Sequence, residues 1–349
     1  MDEHHKTPKS LVVEVPRLRN DSTTSKLYTL EAIPGKGRGP VAAQDIARGT
    51  RVISEKPLFK VPNRIRVPMV LGSVDPVATF VASELSRLSR DEQRAFLSLH
   101  NNFPGTFHPF TGVVLTNGSG GIGNDDEEGG LFVEIARINH ACRPNCLQSW
   151  NEITEHQNIH AVRCIRKGEE ITVNYNSGRP SFDCTRARRR LVKSSFNFEC
   201  ICELCSLPAI EQAFSDTRRS EMERLYNVLG DVFIPDKSFE DAYTMLKLLE
   251  AEKITDVPLG ELYSAAVRIV SAHGDQARAE VFGERAYEVL LTCLGDDNPI
   301  VAELKTLKAT PAQHHRLFGC SARWALPVSA IPRTLQGEKF EAWLWRRDE

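Results

Sequence analysis

Three cysteines that lie close together constrain this chain more than any other feature of its sequence. Cys200, Cys202 and Cys205 form a C-x-C-x-x-C pattern, and no cysteine precedes Cys142. Tetrahedral zinc takes four ligands, so these three thiolates would need a fourth from elsewhere in the chain. Cys142 and Cys146 are both candidates for that ligand, because they lie in a second unusual segment. The pattern therefore favours a zinc site built from distant parts of the chain.

The composition is that of an ordinary soluble globular protein. Hydrophobic residues make up 41% of the 349 positions and charged residues 26%, with a net charge of -2. Two packed units are expected for this length. The polar start lacks the apolar core of a secretion signal, and no apolar run approaches the roughly 20 residues of a membrane helix. We expect a protein of the cytoplasm, the nucleus or both, with reduced cysteines, no membrane and no direct nucleic-acid partner.

The first half of the chain mixes strand and helix signals. Residues 1–25 form a polar arm, and short β-prone runs between Leu27 and Leu58 are separated by glycines. Apolar residues between Val77 and Asn101 recur at helical intervals, with Ser89 as an N-cap. Strand signals return at residues 160–165 and 170–175.

The glycine-rich and acidic segment 117–130 is expected to be an exposed loop. A calcium loop is the alternative for its carboxylates, although the alternating ligand spacing of an EF-hand is absent. A helix is expected to follow over residues 131–138.

Beyond Leu207 the sequence predicts only helices. Amphipathic patterns cover residues 211–229, 238–253, 258–272, 276–294 and 299–308, and Pro or Gly marks their ends. Short connections indicate antiparallel pairs, and the last two pairs resemble tetratricopeptide hairpins. Residues 310–349 contain three tryptophans but no clear period, so they receive no predicted structure.

Three further motifs carry chemistry, and each also has a simpler explanation. The glycines of the run 35–40 could let the backbone approach a ligand, or form a tight hairpin turn. The pair Asn139 and His140 could contact a ligand or a metal, although an isolated histidine is more often structural. Tyr175 ends a turn and strand that begin at Lys167, where a tyrosine normally packs.

In their order along the chain, these features resemble the SET-domain methyltransferases, in particular the branch related to the SET and MYND family. Residues 139–145, Asn-His-Ala-Cys-Arg-Pro-Asn, resemble the family signature Asn-His-Ser-Cys-x-Pro-Asn, and residues 168–175 resemble Gly-Glu-Glu-Leu-x-x-x-Tyr. The cysteine triplet resembles the zinc motif of the post-SET segment. The region from Lys56 to Leu131 contains no cysteine, so the zinc-binding MYND module is expected to be absent.

The resemblance implies an α+β fold in which small sheets surround a pseudoknot formed by the segments of Asn139 and Tyr175. The SET domain would cover residues 26–177 with a helical insert at about 60–130. A zinc-binding post-SET segment would cover 178–206, and a tetratricopeptide-like helical domain 207–349.

The resemblance also implies a role for each motif. Contacts to S-adenosylmethionine are expected from Lys36, Gly37, Arg38, Asn139, His140, Tyr175 and Phe198. Tyr175 is the expected catalytic residue, and structural zinc is expected on Cys142, Cys200, Cys202 and Cys205. Phe196 is expected to help close the site, although many relatives have Tyr there, just as Ala141 and Asn174 replace a usual Ser and Asp.

The implied function is methyl transfer to a lysine of a protein or peptide, histone or other. One alternative is a catalytically silent SET protein that binds partners through its C-terminal helices. A zinc-stabilised helical adaptor with no methyl donor is another. The basic run 186–190 could be a nuclear signal or a solvated helix face.

Overall fold

The computed structural model describes residues 27–62, 75–122, 128–176, 182–307 and 318–347. The predicted arm, residues 1–25, lies outside these ranges. Short strands fill the first half and helices the second, which confirms the α+β prediction. The strands are β1 Tyr28–Ile33, β2 Gly37–Ala42, β3 Arg51–Glu55, β4 Phe59–Pro62, β5 Gly118–Ile122, β6 Glu128–Leu131, β7 Asn139–His140, β8 Cys146–Asn151, β9 His156–Ala161 and β10 Thr172–Val173.

Ten α-helices are present in the part of the chain that the structure describes. They are α1 Pro76–Arg87, α2 Arg90–Leu97, α3 Pro109–Asn117, α4 Thr185–Phe196, α5 Ala209–Val228, α6 Pro235–Ala251, α7 Val257–Ala272, α8 Gln276–Leu294, α9 Pro299–Leu307 and α10 Gly337–Leu344. Short 3-10 helices cover Ile135–Arg137, Glu203–Ser206 and Val328–Ala330. None of these helices is both long enough and apolar enough to cross a membrane.

The strands form four small sheets. Strands β1 and β2 make an antiparallel hairpin, and two three-stranded sheets have the orders β3-β9-β8 and β4-β6-β5. The fourth sheet joins β7 to β10 in parallel, so that Asn139 pairs with Thr172 and His140 with Val173. Parallel pairing requires a crossover between the two strands. The segments that carry the two predicted signature motifs therefore lie side by side.

The helical insert has its own apolar core. Its helix α2 begins at the predicted N-cap, where the Ser89 side chain accepts from the Glu92 backbone and Glu92 accepts from the Ser89 backbone in a capping box. The Phe96 side chain is fully buried between Phe59 and Phe110, at ring-centroid distances of 6.0 and 5.7 Å. The insert is thus packed firmly onto strand β4 of the neighbouring sheet.

The expectation of an exposed loop over residues 117–130 is wrong over most of its length. Strands β5 and β6 pair there, and only residues 123–127 lie outside the described ranges. Glycine gives no strand signal, yet it allows close packing. A Cβ atom on Gly130 would lie 2.7 Å from the Phe132 ring. Asp125, Asp126 and Glu127, which supply most of the carboxylates of the calcium-loop alternative, lie outside the described residues.

The predicted helix over residues 131–138 is also wrong, because only the 3-10 turn Ile135–Arg137 forms. The carboxylate of Glu55 accepts hydrogen bonds from the backbone N–H groups of Val133, Glu134 and Ile135. Glu55 lies on β3, far away in sequence. Its carboxylate therefore fixes the turn through a contact that local periodicity cannot reveal.

The two strands predicted at 160–165 and 170–175 are shifted or shorter than expected. Strand β9 ends at Ala161, and Ile165 makes only an isolated bridge to Ile46. Strand β10 contains just Thr172 and Val173. Val162, Ile165 and Ile171 are nevertheless buried, so the apolar pattern of these segments reflects burial and not continuous strand pairing.

The C-terminal half confirms the predicted helices to within three residues at each end. Their buried side chains form one core with the tryptophans of the segment that received no prediction. The ring of Trp345 lies 4.8 Å from Phe282 and 5.3 Å from Phe239. This segment also pairs with the loop before α8 through a bridge from Leu326 to Asp275. The likeness to tetratricopeptide hairpins stays a prediction.

A buried carboxylate ties the start of the helical half together. Glu252 accepts hydrogen bonds from Ser215, Arg218 and Arg219, at 2.8, 2.7 and 3.0 Å. The side chains of Glu252 and Arg219 are only 1% and 3% exposed. The Glu252 carbonyl also accepts from Arg143, next to Cys142. This residue thus joins α5 and α6 to the first half of the chain.

Replacement of Glu252 by alanine should lower the free energy of unfolding by about 3–5 kcal/mol, because it leaves Arg219 charged, buried and unpaired. Urea denaturation of wild type and variant measures this difference. Glu221→Ala is the control, since Glu221 pairs with Arg224 on the surface of α5, the helix that also carries Arg219. An equal shift of the unfolding midpoint in both variants would contradict the assignment of Glu252.

Candidate active site

A turn between β1 and β2 forms one wall of a cavity of about 630 Å³. Gly35 and Gly37 have φ angles of 73° and 78°, which L-residues with side chains rarely adopt. A Cβ atom on Gly35 would lie 2.8 Å from the Ile201 side chain. The turn therefore needs glycine both for its conformation and for close approach of the segment that carries the cysteines.

A polar network connects this turn to the Asn-His segment. Lys36 Nζ lies 2.7 Å from one carboxylate oxygen of Glu170, and the Asn139 amide donates to the other at 2.9 Å. Gly39 lies against the Asn139 and Glu170 side chains, because a Cβ atom added to it would lie 2.6 Å from Asn139 Nδ2 and 3.4 Å from a Glu170 carboxylate oxygen. Glu170 thus holds a cation and an amide donor in fixed positions at the cavity wall.

His140 is buried between this network and the cysteines. Its Nδ1 atom accepts a hydrogen bond from the Tyr175 backbone N–H at 3.1 Å, so the ring proton belongs on Nε2, which lies 3.3 Å from Cys142 Sγ. Burial lowers the pKa of His140 to about 4. The imidazole is therefore neutral at pH 7 and acts as an acceptor towards one segment and a donor towards the other.

Tyr175 lies where aromatic rings converge. Its hydroxyl donates to the Ile138 carbonyl at 2.7 Å. The rings of Phe196 and His140 lie 5.0 and 5.2 Å from its own ring. Burial, followed by the nearby Glu170 carboxylate, raises the pKa of the Tyr175 phenol well above its usual value. The hydroxyl therefore stays protonated at neutral pH and can orient a group by hydrogen bonding.

Tyr175 lines a second, smaller cavity as well, of about 150 Å³. Phe132, Ile138 and Phe196 contribute apolar walls to this cavity, and the edge strand β5 contributes its backbone. Thr116, Asn117 and Ala136 also border both cavities. The two cavities thus meet at a short wall in which Tyr175 is the only residue with an ionisable side chain.

The seven residues predicted to contact the cofactor all border the larger cavity. They are Lys36, Gly37, Arg38, Asn139, His140, Tyr175 and Phe198. Their contact with a cofactor stays a prediction. The insert supplies a further wall that sequence reasoning missed, which comprises Ser98, Leu99, His100, Asn101, Asn102, Thr116 and Asn117. Its only signal was the polar run that follows helix α2. Among the residues that the structure describes, none after Ile201 lines either cavity.

Four thiols form a cluster on the side of the His140 ring that carries Nε2. The ligand atoms of Cys142, Cys200, Cys202 and Cys205 all lie within 4.8 Å of one another. Cys142 Sγ is 3.9 Å from Cys200 Sγ and 3.6 Å from Cys205 Sγ. Zinc–sulfur bonds of about 2.3 Å in a tetrahedron put sulfur atoms about 3.8 Å apart. The cluster could therefore hold a zinc ion.

Cys146, the other candidate for the fourth ligand, is not part of this cluster. It is buried in the apolar core of the β-sheets with Ile159 and Ala161. Its position follows from strand alternation, since Cys146 is the first residue of β8 and pairs with Ala161. Burial raises the pKa of this thiol to about 12, so it is an inert core residue.

The basic run 186–190 lies on helix α4 beside the thiol cluster. Arg188 is buried and donates to the Asp183 carbonyl and the Thr185 hydroxyl, while Arg189 donates to the Cys205 carbonyl. Arg186 and Arg190 are exposed. Two arginines of the run therefore have structural roles, which a purely solvated helix face would not require.

The central part of the chain matches a SET domain. Residues 37–176 match the family model described as "SET domain". This range begins in the glycine turn and ends one residue after Tyr175, so it contains both cavities' shared wall and the parallel pairing of β7 with β10.

The chain is homologous to histone-lysine methyltransferases of the Set5 and SMYD types. It is 27% identical over 305 residues to "Histone-lysine N-methyltransferase set5" of Schizosaccharomyces pombe, which covers 85% of this chain and 88% of that relative. It is 36% identical over 76 residues to "Histone-lysine N-methyltransferase SMYD3" of Homo sapiens, over 22% of this chain and 17% of the relative. The second match is thus confined to a short region.

Proposed function

We propose that this protein-lysine methyltransferase transfers a methyl group from S-adenosylmethionine to the ε-amine of a lysine in a protein. The observation that carries the proposal is the position of Tyr175 in a wall shared by a larger and a smaller cavity. A methyl transfer needs donor and acceptor to approach from opposite directions along one line. Two cavities that share one wall suit that requirement better than a single pocket does.

The larger cavity fits the cofactor in size and in the chemistry of its walls. When bound, S-adenosylmethionine supplies a methyl group activated by a sulfonium charge. Lys36 would pair with its carboxylate, and the glycine turn and Asn139 would offer hydrogen bonds. Phe198, whose ring lies 6.3 Å from that of His140, would pack on the adenine. These contacts use Lys36, Gly37, Asn139 and Phe198 from the set that the resemblance predicts.

The smaller cavity fits a lysine side chain. Its apolar walls would cover the methylene groups of the chain and keep water from the amine. An apolar environment disfavours the ammonium form and so favours the neutral amine that can accept a methyl group. Strand β5 lies at the edge of its sheet and lines this cavity, which suits an extended peptide that would add a strand to that edge.

Tyr175 would orient the amine through its hydroxyl oxygen, which can accept a hydrogen bond from the amine while the hydroxyl proton is donated to the Ile138 carbonyl. Because the raised pKa keeps the phenol protonated, its contribution would be alignment and not proton removal. Phe196 and Phe198 would exclude water on either side. Correct alignment of two reacting groups can contribute several kcal/mol to the lowering of an activation barrier.

Zinc on the four thiols would be structural. Four thiolates would fill the tetrahedral coordination of zinc and leave no open ligand position, and methyl transfer requires no metal. Cys142 lies two residues after His140, so an ion held by the cluster would fix the Asn-His segment and the segment of Phe198 relative to each other. The substrate is expected to be a histone or another protein, in the cytoplasm or the nucleus.

Tyr175→Phe should lower methyl transfer roughly a hundredfold, because the group that orients the amine is lost. Cofactor affinity should change little, since the ring remains. The assay follows transfer of labelled methyl from S-adenosylmethionine to core histones and to cell extract, with binding of S-adenosylhomocysteine measured by calorimetry.

Tyr226→Phe is the matched control for this variant. Its hydroxyl donates to Glu261 at 2.8 Å in the helical half, away from both cavities. Equal activity of Tyr175→Phe and wild type would contradict the role of Tyr175. Tight cofactor binding by a wild-type protein that methylates nothing would favour the silent binding protein.

Cys205→Ser should lower bound zinc from one ion per chain to well below one, because three thiolates hold the ion less tightly than four. Elemental analysis of the purified protein measures the ratio of zinc to protein. Cys146→Ala should keep the full ratio of zinc to protein, although it removes a buried thiol from the segment that carries Cys142. Zinc loss in both variants, or in neither, would contradict the four-cysteine assignment.

A further inference from the structure

Two asparagines outside every recognised motif connect the helical insert to the end of α4. The Asn102 side-chain amide donates to the Phe196 carbonyl at 2.8 Å. In return, the Asn197 side-chain amide donates to the Asn102 carbonyl at 2.7 Å. The two hydrogen bonds join residues that are 94 and 95 positions apart in the sequence. Each side chain thus fixes the backbone of the other segment.

The pair acts at the C-terminal end of α4, where the backbone needs partners from outside the helix. The last carbonyls of a helix have no partner within the helix, and Phe196 is the last residue of α4. Asn197 follows with a φ of 57°, in the left-handed conformation that reverses the chain. Asn102 therefore supplies a partner for a helix-end carbonyl at the point where the chain turns towards Phe198.

Asn102 is itself held from the other side. Its backbone N–H donates to the Thr116 hydroxyl at 2.9 Å, and that hydroxyl donates to the Gly112 carbonyl at 2.7 Å. Both partners belong to helix α3, and Thr116 borders both cavities. A continuous chain of hydrogen bonds thus runs from α3 through Asn102 to the backbone of Phe196.

The Phe196 ring is the part of this segment that borders the smaller cavity, where the lysine is proposed to bind. It lines the smaller cavity and lies 5.0 Å from the ring of Tyr175. Well-packed walls resist added volume, so the position of this ring decides whether an amine that already carries a methyl group still fits. A loosened Phe196 would accept the larger amine more easily.

Resting on the proposed function, we propose that Asn102 and Asn197 are positioning residues that hold Phe196 against Tyr175 and so limit the number of methyl groups added to one lysine. They act through Phe196 and need not touch the substrate. The observation behind this assignment is the reciprocal amide pair between the insert and α4, which places the tether directly on the backbone of the channel wall.

Two variants remove the tether in different ways. Asn102→Asp keeps the size of the side chain but replaces its donor by a carboxylate oxygen. Asn197→Gly removes the other amide while keeping a residue that readily adopts a positive φ. Asn227→Asp is the control, because its amide donates to the Glu223 carbonyl on the surface of α5, far from both cavities.

The assay compares initial rates on histone-tail peptides whose target lysine is unmodified, monomethylated or dimethylated, with products identified by mass spectrometry. In both variants the rate on monomethyl-lysine relative to that on unmodified lysine should rise roughly fivefold, the factor that corresponds to one hydrogen bond. The control should keep the wild-type ratio. An equal fall on all three peptides would overturn the proposal, as would a wild-type enzyme that accepts dimethyl-lysine as fast as unmodified lysine.

Hydrogen–deuterium exchange separates this proposal from the function on which it rests. Amide exchange over residues 191–199, measured with S-adenosylhomocysteine present, should be roughly fivefold faster in Asn102→Asp than in wild type or control. Unchanged exchange would overturn the positioning role whatever the activity. A wild-type protein that methylates no peptide would defeat the proposed function and the limit on methylation, while faster exchange would still establish the tether.

Discussion

The parallel pairing of β7 with β10 determines where every other part of the site lies. It places Asn139 and His140 beside Thr172 and Val173, and the Tyr175 backbone N–H then donates to the His140 ring. Because His140 must accept this bond on Nδ1, its other nitrogen faces Cys142. One short pairing therefore sets the position of Tyr175 and the tautomer of His140. It also directs the Nε2 atom of His140 towards Cys142 in the thiol cluster.

The thiol cluster extends this constraint to the segment of Phe198 and Ile201, which borders the larger cavity. Cys142 belongs to the Asn-His segment, whereas the other three cysteines follow Phe198. The cluster therefore helps to hold Ile201 beside the glycine turn, where a Cβ atom on Gly35 would lie 2.8 Å from the Ile201 side chain. The cavity walls thus come from four separate regions, and they depend on contacts among residues far apart in sequence.

Sequence alone predicted the parts of the site whose chemistry is concentrated in short motifs. The glycine turn, the Asn-His pair, Tyr175 and the cysteine triplet each stand out locally, and amphipathic periodicity located the C-terminal helices. Sequence reasoning failed where distant contacts override local preference. Glu55 converts an expected helix at 131–138 into a turn, and the glycines of β5 and β6 form strands that propensity does not favour. The insert wall and the Asn102–Asn197 pair depend entirely on tertiary contacts, so no local pattern marks them.

In the proposed mechanism, cofactor and lysine occupy two cavities that meet at Tyr175. A crystal structure with S-adenosylhomocysteine and a histone-tail peptide, with norleucine in place of the target lysine, tests it most directly. We expect the adenosyl group between Lys36 and Phe198, and the norleucine side chain in the smaller cavity with its end at the Tyr175 hydroxyl. Both ligands in the larger cavity, or a peptide bound away from Phe196, would contradict the account.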